Sequence, residues 1–156
     1  MDTVKKIWYR SFQAGLNIGS RFLYWRKPKL ISGTGSSSHI AGLFKAEKID
    51  KVMVVTGRHV GKSIAPAIME TMTEQGIECV HYSKVEANPS TTTVYEIEKL
   101  YRDSGCKGFL AIGGGSPMDA AKAAAARIVR PSKSLGQMAG LFKVLKKLPL
   151  FVAVPT

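Results

Sequence analysis

One stretch constrains the fold of this 156-residue chain more than any other: Phe109-Leu-Ala-Ile-Gly113-Gly114-Gly115-Ser116-Pro117-Met118-Asp119-Ala-Ala-Lys122-Ala-Ala-Ala-Ala126. An apolar run of strand length ends in three glycines, and an alanine-rich helical stretch starts at once. Without Cβ atoms, such glycines let backbone N–H groups approach a ligand closely. A helix start adds unpaired N–H donors and the positive end of the helix dipole, which suits a diphosphate. The residue types predict Ser116 as N-cap, Pro117 as the first helical residue and Asp119 closing a capping box. Asp119 would be repelled by a bound diphosphate, so its expected role is to cap the helix or orient Lys122. The small residues Ala120, Ala121, Ala123 and Ala124 allow the helix to pack close to a sheet. The pattern departs from G-x-G-x-x-G, because Met118 stands where the last glycine would fall.

The rest of the chain repeats the same alternation. Apolar runs predict strands at Leu30–Gly33, Lys51–Thr56, Glu78–Tyr82, Gly108–Ile112 and Leu150–Val154. Three of them (VMVVT, FLAI and LFVAV) are continuous rather than alternating, as in a parallel sheet covered on both faces. Helical patterns fall at about 59–75, 91–103, 116–130 and 137–146. The expected fold class is therefore α/β, a doubly wound and mostly parallel sheet with flanking helices over residues 28–156. Ligands of such sheets bind beyond the carboxyl ends of the strands. Residues 1–27 form a separate N-terminal extension. Trp8, Phe12 and Leu16 recur four apart with Tyr9 on the same side, which predicts an amphipathic helix that docks on the domain or a partner subunit.

Composition narrows the function. A hydrophobic fraction of 45% is that of a globular protein. The sequence holds no apolar stretch near the roughly 20 residues of a membrane span, nor a secretory leader, so the expectation is a cytoplasmic protein with no membrane partner. Two cysteines, Cys79 and Cys106, suggest neither a disulfide framework nor a metal knuckle. Half of the net charge of +12 falls in residues 1–30 and a second basic cluster lies near the C-terminus, but no aromatic-interleaved basic run accompanies it, so nucleic acid is not the expected partner. It is consistent with solvated faces and attraction for an anionic phosphate ligand.

GGGSPMDAAK after a buried strand resembles the G-G-G-S-x-x-D-x-A-K motif of the iron-containing (group III) alcohol dehydrogenases. Further landmarks run in the same order: Pro28, Gly33-Thr34-Gly35-Ser36, Val54-Val55-Thr56, Asn88-Pro89-Ser90 and Val154-Pro155-Thr156. The resemblance covers about residues 28–156, and the N-terminal extension looks like that of one subgroup. Glycerol dehydrogenase and dehydroquinate synthase share the fold but match the glycine loop less closely. The resemblance implies a Rossmann-like, dehydroquinate synthase-like N-terminal domain, followed in the family by an all-helical domain that holds a metal. It implies a diphosphate site at Gly113, Gly114, Gly115 and Ser116, with Pro117 and Met118 in contact. Asn88 would lie near the ribose or nicotinamide half of the cofactor and Thr156 beside it. The implied reaction is reversible hydride transfer between a primary alcohol or its aldehyde and NAD or NADP. Iron, or in some members zinc, would be held by an Asp and three His of the missing domain, so no metal ligand is expected here. A homodimer is also implied.

Many NAD-using relatives carry Asp directly after the second-strand threonine, where this chain has Thr56-Gly57-Arg58. The loss of that carboxylate and the presence of Arg58 tilt the expectation toward NADP. Gly57 and Arg58 therefore join the candidate cofactor residues. Because Asn88 precedes a proline, its backbone is expected to be extended; read without the resemblance, Asn88-Pro89-Ser90 is simply a turn that starts a helix. Three rival readings stand beside the enzyme. Thr56-Gly57-Arg58-His59-Val60-Gly61-Lys62-Ser63 nearly spells a P-loop, but its first glycine is replaced by Thr56. The other two are a stand-alone nucleotide-binding module and a basic interaction protein using residues 1–27 and the lysine-rich end. His39, His59 and His81 have no metal-ligand spacing.

Overall fold

Four parallel strands in the order β2-β1-β3-β4 make one sheet. They are β1 (Lys51–Gly57), β2 (Glu78–Val85), β3 (Gly108–Ile112) and β4 (Leu150–Val154). The computed structural model describes residues 3–21 and 28–156. They fall into two units, Met1–Gly33 and Thr34–Thr156. The second unit holds the sheet and the helices α2 (Ile40–Ala46), α3 (Arg58–Ser63), α4 (Ala65–Glu74), α5 (Thr91–Asp103), α6 (Gly115–Val129) and α7 (Leu135–Met138).

The continuous apolar runs of β1 and β3 divide by alternate residues between two cores, as the twofold period of a strand requires. Met53, Val55, Phe109 and Ala111 face α5 and α6, where they meet Val94, Ile97, Tyr101, Ala120, Ala121, Ala124 and Ala125. Val52, Val54, Leu110 and Ile112 face the other way, onto Phe44 of α2 and Ile68 and Met72 of α4. All eight of these strand residues are fully buried. At about 25 cal/mol per Å2 of apolar surface, side chains of this size contribute about 1.5–3 kcal/mol each. The small face of α6 packs on the sheet through Ala120, Ala121, Ala124 and Ala125, with Ala123 half-buried beside them. Tyr101 stacks on Phe109 at 4.5 Å between ring centroids.

One buried charge cluster joins α5 to α6. The Glu98 carboxylate accepts from Arg127 Nε at 2.8 Å and from Arg102 Nη2 at 3.1 Å. Arg127 also donates to the carbonyls of Pro131 and Lys133, and its guanidinium lies over the Tyr95 ring. A buried carboxylate is tolerable here because two cations and several hydrogen bonds surround it.

Three sequence expectations differ from the structure. Residues 30–33 form no strand: Leu30 is 88% exposed and Gly33 has a φ of +127°. The predicted helix over 59–75 is two helices, α3 and α4, broken at Ile64, because Pro66 lacks the N–H that a continuous helix would use. The predicted helix over 137–146 is replaced by α7 and irregular chain. Gly140, Phe142 and Leu145 have positive φ, and Leu141 and Leu145 are exposed, so the apolar pattern buries no helix face there.

In the first unit, α1 (Thr3–Arg21) bears Lys5, Lys6 and Arg10, and Trp8 and Phe12 stack at 5.8 Å with both rings exposed. The remainder of the 1–27 extension, including Arg26 and Lys27, lies outside the described residues. Among the described residues, no helix is long and apolar enough to cross a membrane.

Candidate functional site

Chain direction locates the site. From β1 the chain crosses through α3 and α4 to β2 at one edge, and from β3 it crosses through α6 to β4 at the other. The two central strands therefore send their connections in opposite directions. Doubly wound sheets open a crevice at that point, outside the carboxyl ends of the strands. Gly57 and Arg58 leave β1 on one side of it, and Gly113 to Met118 leave β3 on the other.

The three glycines are not equivalent. Gly113 is buried at a φ of +136°, and a Cβ there would lie 2.8 Å from Pro117 Cγ and 3.9 Å from Val60 Cγ2. Its N–H donates to Val154 O at 3.0 Å, which ties the loop to the end of β4. Gly114 and Gly115 are exposed, and a Cβ at either would meet nothing within 4 Å. Gly113 thus makes the turn, whereas Gly114 and Gly115 leave space above the helix end.

That helix end is open. Gly114 is the N-cap of α6, and no side chain caps it. This corrects the expected assignment: Ser116 sits inside the first turn rather than at the cap, Pro117 is the third helical residue, and Asp119 closes no capping box. Two glycines begin the helix two residues earlier than serine preference suggests. Asp119 instead lies 3.9 Å from the Lys122 ammonium, an exposed pair one turn along. The contrast with neighbouring helices is informative. Ser90 caps α5 by accepting from Thr93 N–H, and Ser134 forms a full capping box with Gln137 on α7. On α6 the N–H groups of Gly114, Gly115 and Ser116 precede the first intrahelical bond and have no partner within the helix. Pro117 is buried behind them, and Met118 is half-buried against the core shared with α5.

On the β1 side, Gly57 caps α3, and a Cβ there would stand 3.3 Å from Val85 O. Arg58 begins the helix and donates to Glu86 Oε1 at 3.0 Å, with both side chains largely exposed. Behind the loop, fully buried Thr56 shares a 2.9 Å hydrogen bond with His81 Nε2. Burial pushes the His81 pKa below its ordinary value. Gly61 lets α3 lie against this pair, since a Cβ there would be 2.7 Å from Thr56 Oγ1.

The near-P-loop forms no loop. Arg58 to Ser63 is helix, Gly61 is buried, and Ser63 Oγ donates back to His59 O. A P-loop instead needs a cradle of free backbone N–H groups before its lysine.

Asn88 and Thr156 leave opposite edges of the sheet, after β2 and β4. Asn88 is not extended: its φ is +55°, a conformation that asparagine tolerates better than most residues. The preference imposed by Pro89 is overridden by the turn that hands β2 to α5. Thr156 is exposed two residues beyond β4, on the strand end that Gly113 contacts. The sequence does not single out Glu86, and it gives no sign of the partner His81 finds in Thr56. Neither lies in a motif, and only strand register brings them to Arg58 and Thr56.

Among the described residues, no three His, Cys, Asp or Glu side chains group as metal ligands would. The described residues therefore do not fit a catalytic iron or zinc. They do fit the diphosphate of a dinucleotide, for which Gly114 and Gly115 leave room beside unpaired donors.

Comparison with known proteins agrees with the geometry. Residues 27–156 match the family described as iron-containing alcohol dehydrogenase. A choline dehydrogenase of Bacillus subtilis (strain 168) is 33% identical over 127 residues, which are 80% of this chain and 32% of that protein. The solved alcohol dehydrogenase from Oenococcus oeni superposes with a TM-score of 0.76 at 25% identity, over 81% of this chain and 33% of that one. An NADH-dependent butanol dehydrogenase A from Thermotoga maritima gives 0.74 at 27% identity, over 85% and 34%. This chain thus spans about a third of the length of the relatives it matches.

Proposed function

The chain belongs to the iron-containing alcohol dehydrogenase family, and from that premise we propose that it forms the dinucleotide-holding part of an enzyme interconverting primary alcohols and aldehydes. One observation carries the reading: the uncapped, side-chain-free start of α6 stands at the switch point of the sheet. Gly114, Gly115 and Ser116 donate backbone N–H groups to the cofactor diphosphate, aided by the helix dipole. Gly113 shapes the loop, while Pro117 and Met118 form its floor. Asn88 and Thr156 approach the cofactor from the flanking strand ends. Gly57 and Arg58 receive the adenosine half, and Arg58 favours the 2′-phosphate of NADP over NAD. A nicotinamide, when bound, supplies the hydride acceptor or donor.

Among the described residues no three potential metal ligands group together, and on this reading the 156-residue chain binds nucleotide without oxidising alcohol. A homodimer fits the same reading. Fluorescence titration with NADPH, NADH and Mg-ATP tests it. Binding of either reduced nicotinamide nucleotide, abolished by Gly114→Val, is the expected result. Binding of Mg-ATP alone would overturn it, and so would alcohol turnover by this polypeptide on its part.

A further inference from the structure

The β1–β2 ladder is irregular at its carboxyl end. Val55 pairs with Tyr82, but Gly57 pairs with Val85, so three steps along β2 match two along β1. Bulges of this kind re-aim the side chains that follow them. Here the residue after the bulge is Glu86, and its carboxylate meets Arg58 at 3.0 Å. A carboxylate on Gly57 itself would bring its Cβ within 3.3 Å of the Val85 carbonyl. The acidic group beside the adenosine position thus comes from the end of β2, already engaged with the one guanidinium that a 2′-phosphate would seek.

We infer that Glu86 is a specificity-determining residue of the nucleotide site, restraining Arg58 so that NADP is preferred only weakly over NAD. The inference rests on the dinucleotide reading above. A 2′-phosphate carries about −1.5 to −2 charges at neutral pH, by analogy with other phosphomonoesters. To reach Arg58 it must either displace Glu86 or lie beside its negative charge. NAD, with two ribose hydroxyls there, meets no such repulsion. Glu86 therefore lowers affinity for NADP while leaving that for NAD nearly unchanged.

The test is titration of NADPH and NADH into the wild-type chain, Glu86→Gln, Arg58→Ala and the double variant, at low and moderate salt. Both substituted side chains are exposed, and circular dichroism confirms that each variant is folded. Glu86→Gln is expected to tighten NADPH by about threefold to fivefold, the size of one relieved exposed charge interaction. NADH should change by less than about twofold, and the gain in NADPH binding should shrink with salt. In the Arg58→Ala background the Glu86 substitution should change the NADPH:NADH ratio much less, because Arg58 is no longer there to be released. An unchanged ratio in Glu86→Gln, or weaker NADPH binding, overturns the inference while leaving the dinucleotide site intact. A folded wild-type chain that binds neither nucleotide overturns both readings together.

Discussion

The three glycines of the β3–α6 loop should separate cleanly into one that holds the fold and two that hold the ligand. Gly113→Ala combines two penalties. Its φ of +136° is nearly reserved to glycine, which costs roughly 1–3 kcal/mol for another residue. Its new Cβ would also stand 2.8 Å from Pro117 Cγ, on a ring fixed in the first turn of α6. Overpacking of this kind costs roughly another 1–3 kcal/mol. A loss of about 3 kcal/mol is expected, a large share of a domain stability of about 5–15 kcal/mol. It would lower Tm by roughly 10 °C. Gly114→Ala meets nothing within 4 Å, at a φ of −78° that any residue adopts. The weaker cap costs about 0.5 kcal/mol, and the stiffer unfolded chain returns a similar amount. Its Tm should therefore stay within a few degrees of wild type, while Gly114→Val, at the same open position, loses at least about tenfold in nucleotide affinity by filling the diphosphate space. Far-UV circular dichroism melts and NADPH titrations on the same preparations decide the matter. A Gly113→Ala protein as stable as wild type, or a Gly114→Val protein that binds normally, would refute this division of labour.

Other perturbations test the scaffold. Glu98→Ala leaves the Arg127 guanidinium, 15% exposed, without its carboxylate, and should cost roughly 3 kcal/mol in urea denaturation; a change below about 1 kcal/mol would show the cluster to be incidental. His81 is held below its ordinary pKa of 6.5 by burial, so the unfolded chain binds the extra proton first. Stability should be steady above about pH 6.5 and fall as pH drops toward the folded-state value. His81→Gln should flatten that slope between pH 7.5 and 5.5, and an unaltered slope would assign it to other groups. Burial raises both cysteine thiols, Cys79 and Cys106, to about 11. Ellman's reagent should label them slowly at pH 8 in the native protein and rapidly in urea.

Much of the sheet was legible because buried parallel strands write themselves as unbroken apolar runs. Gly108–Ile112 and Leu150–Val154 have the bounds that those runs predict, as does helix α5 behind its Ser90 cap. The differences share a cause: a local pattern is silent about the surroundings that decide it. Residues 137–146 have helical periodicity but positive φ at three positions. Residues 40–46 carry too short a pattern to declare a helix, although Phe44 is buried at the heart of one core. At the site, glycine spacing located the loop, but cap preference misplaced the helix start. The Arg58–Glu86 pair depends on a bulge, and ladder register is a property of two strands that neither segment declares by itself.

The proposed placing of the ligand loops on β1 and β3 has a consequence for how the protein would report an occupied site. Both central strands are hydrogen-bonded along both edges, so their amides exchange with solvent mainly through global opening rather than local fraying. A ligand held there stabilises the whole folded ensemble by mass action. Its occupancy would be written into the slowest-exchanging amides of the β1–β3 ladder, while β2 and β4, the outer strands among the described residues, continue to fray. The middle of the sheet, remote from any phosphate contact, would be the most sensitive recorder of what the crevice holds.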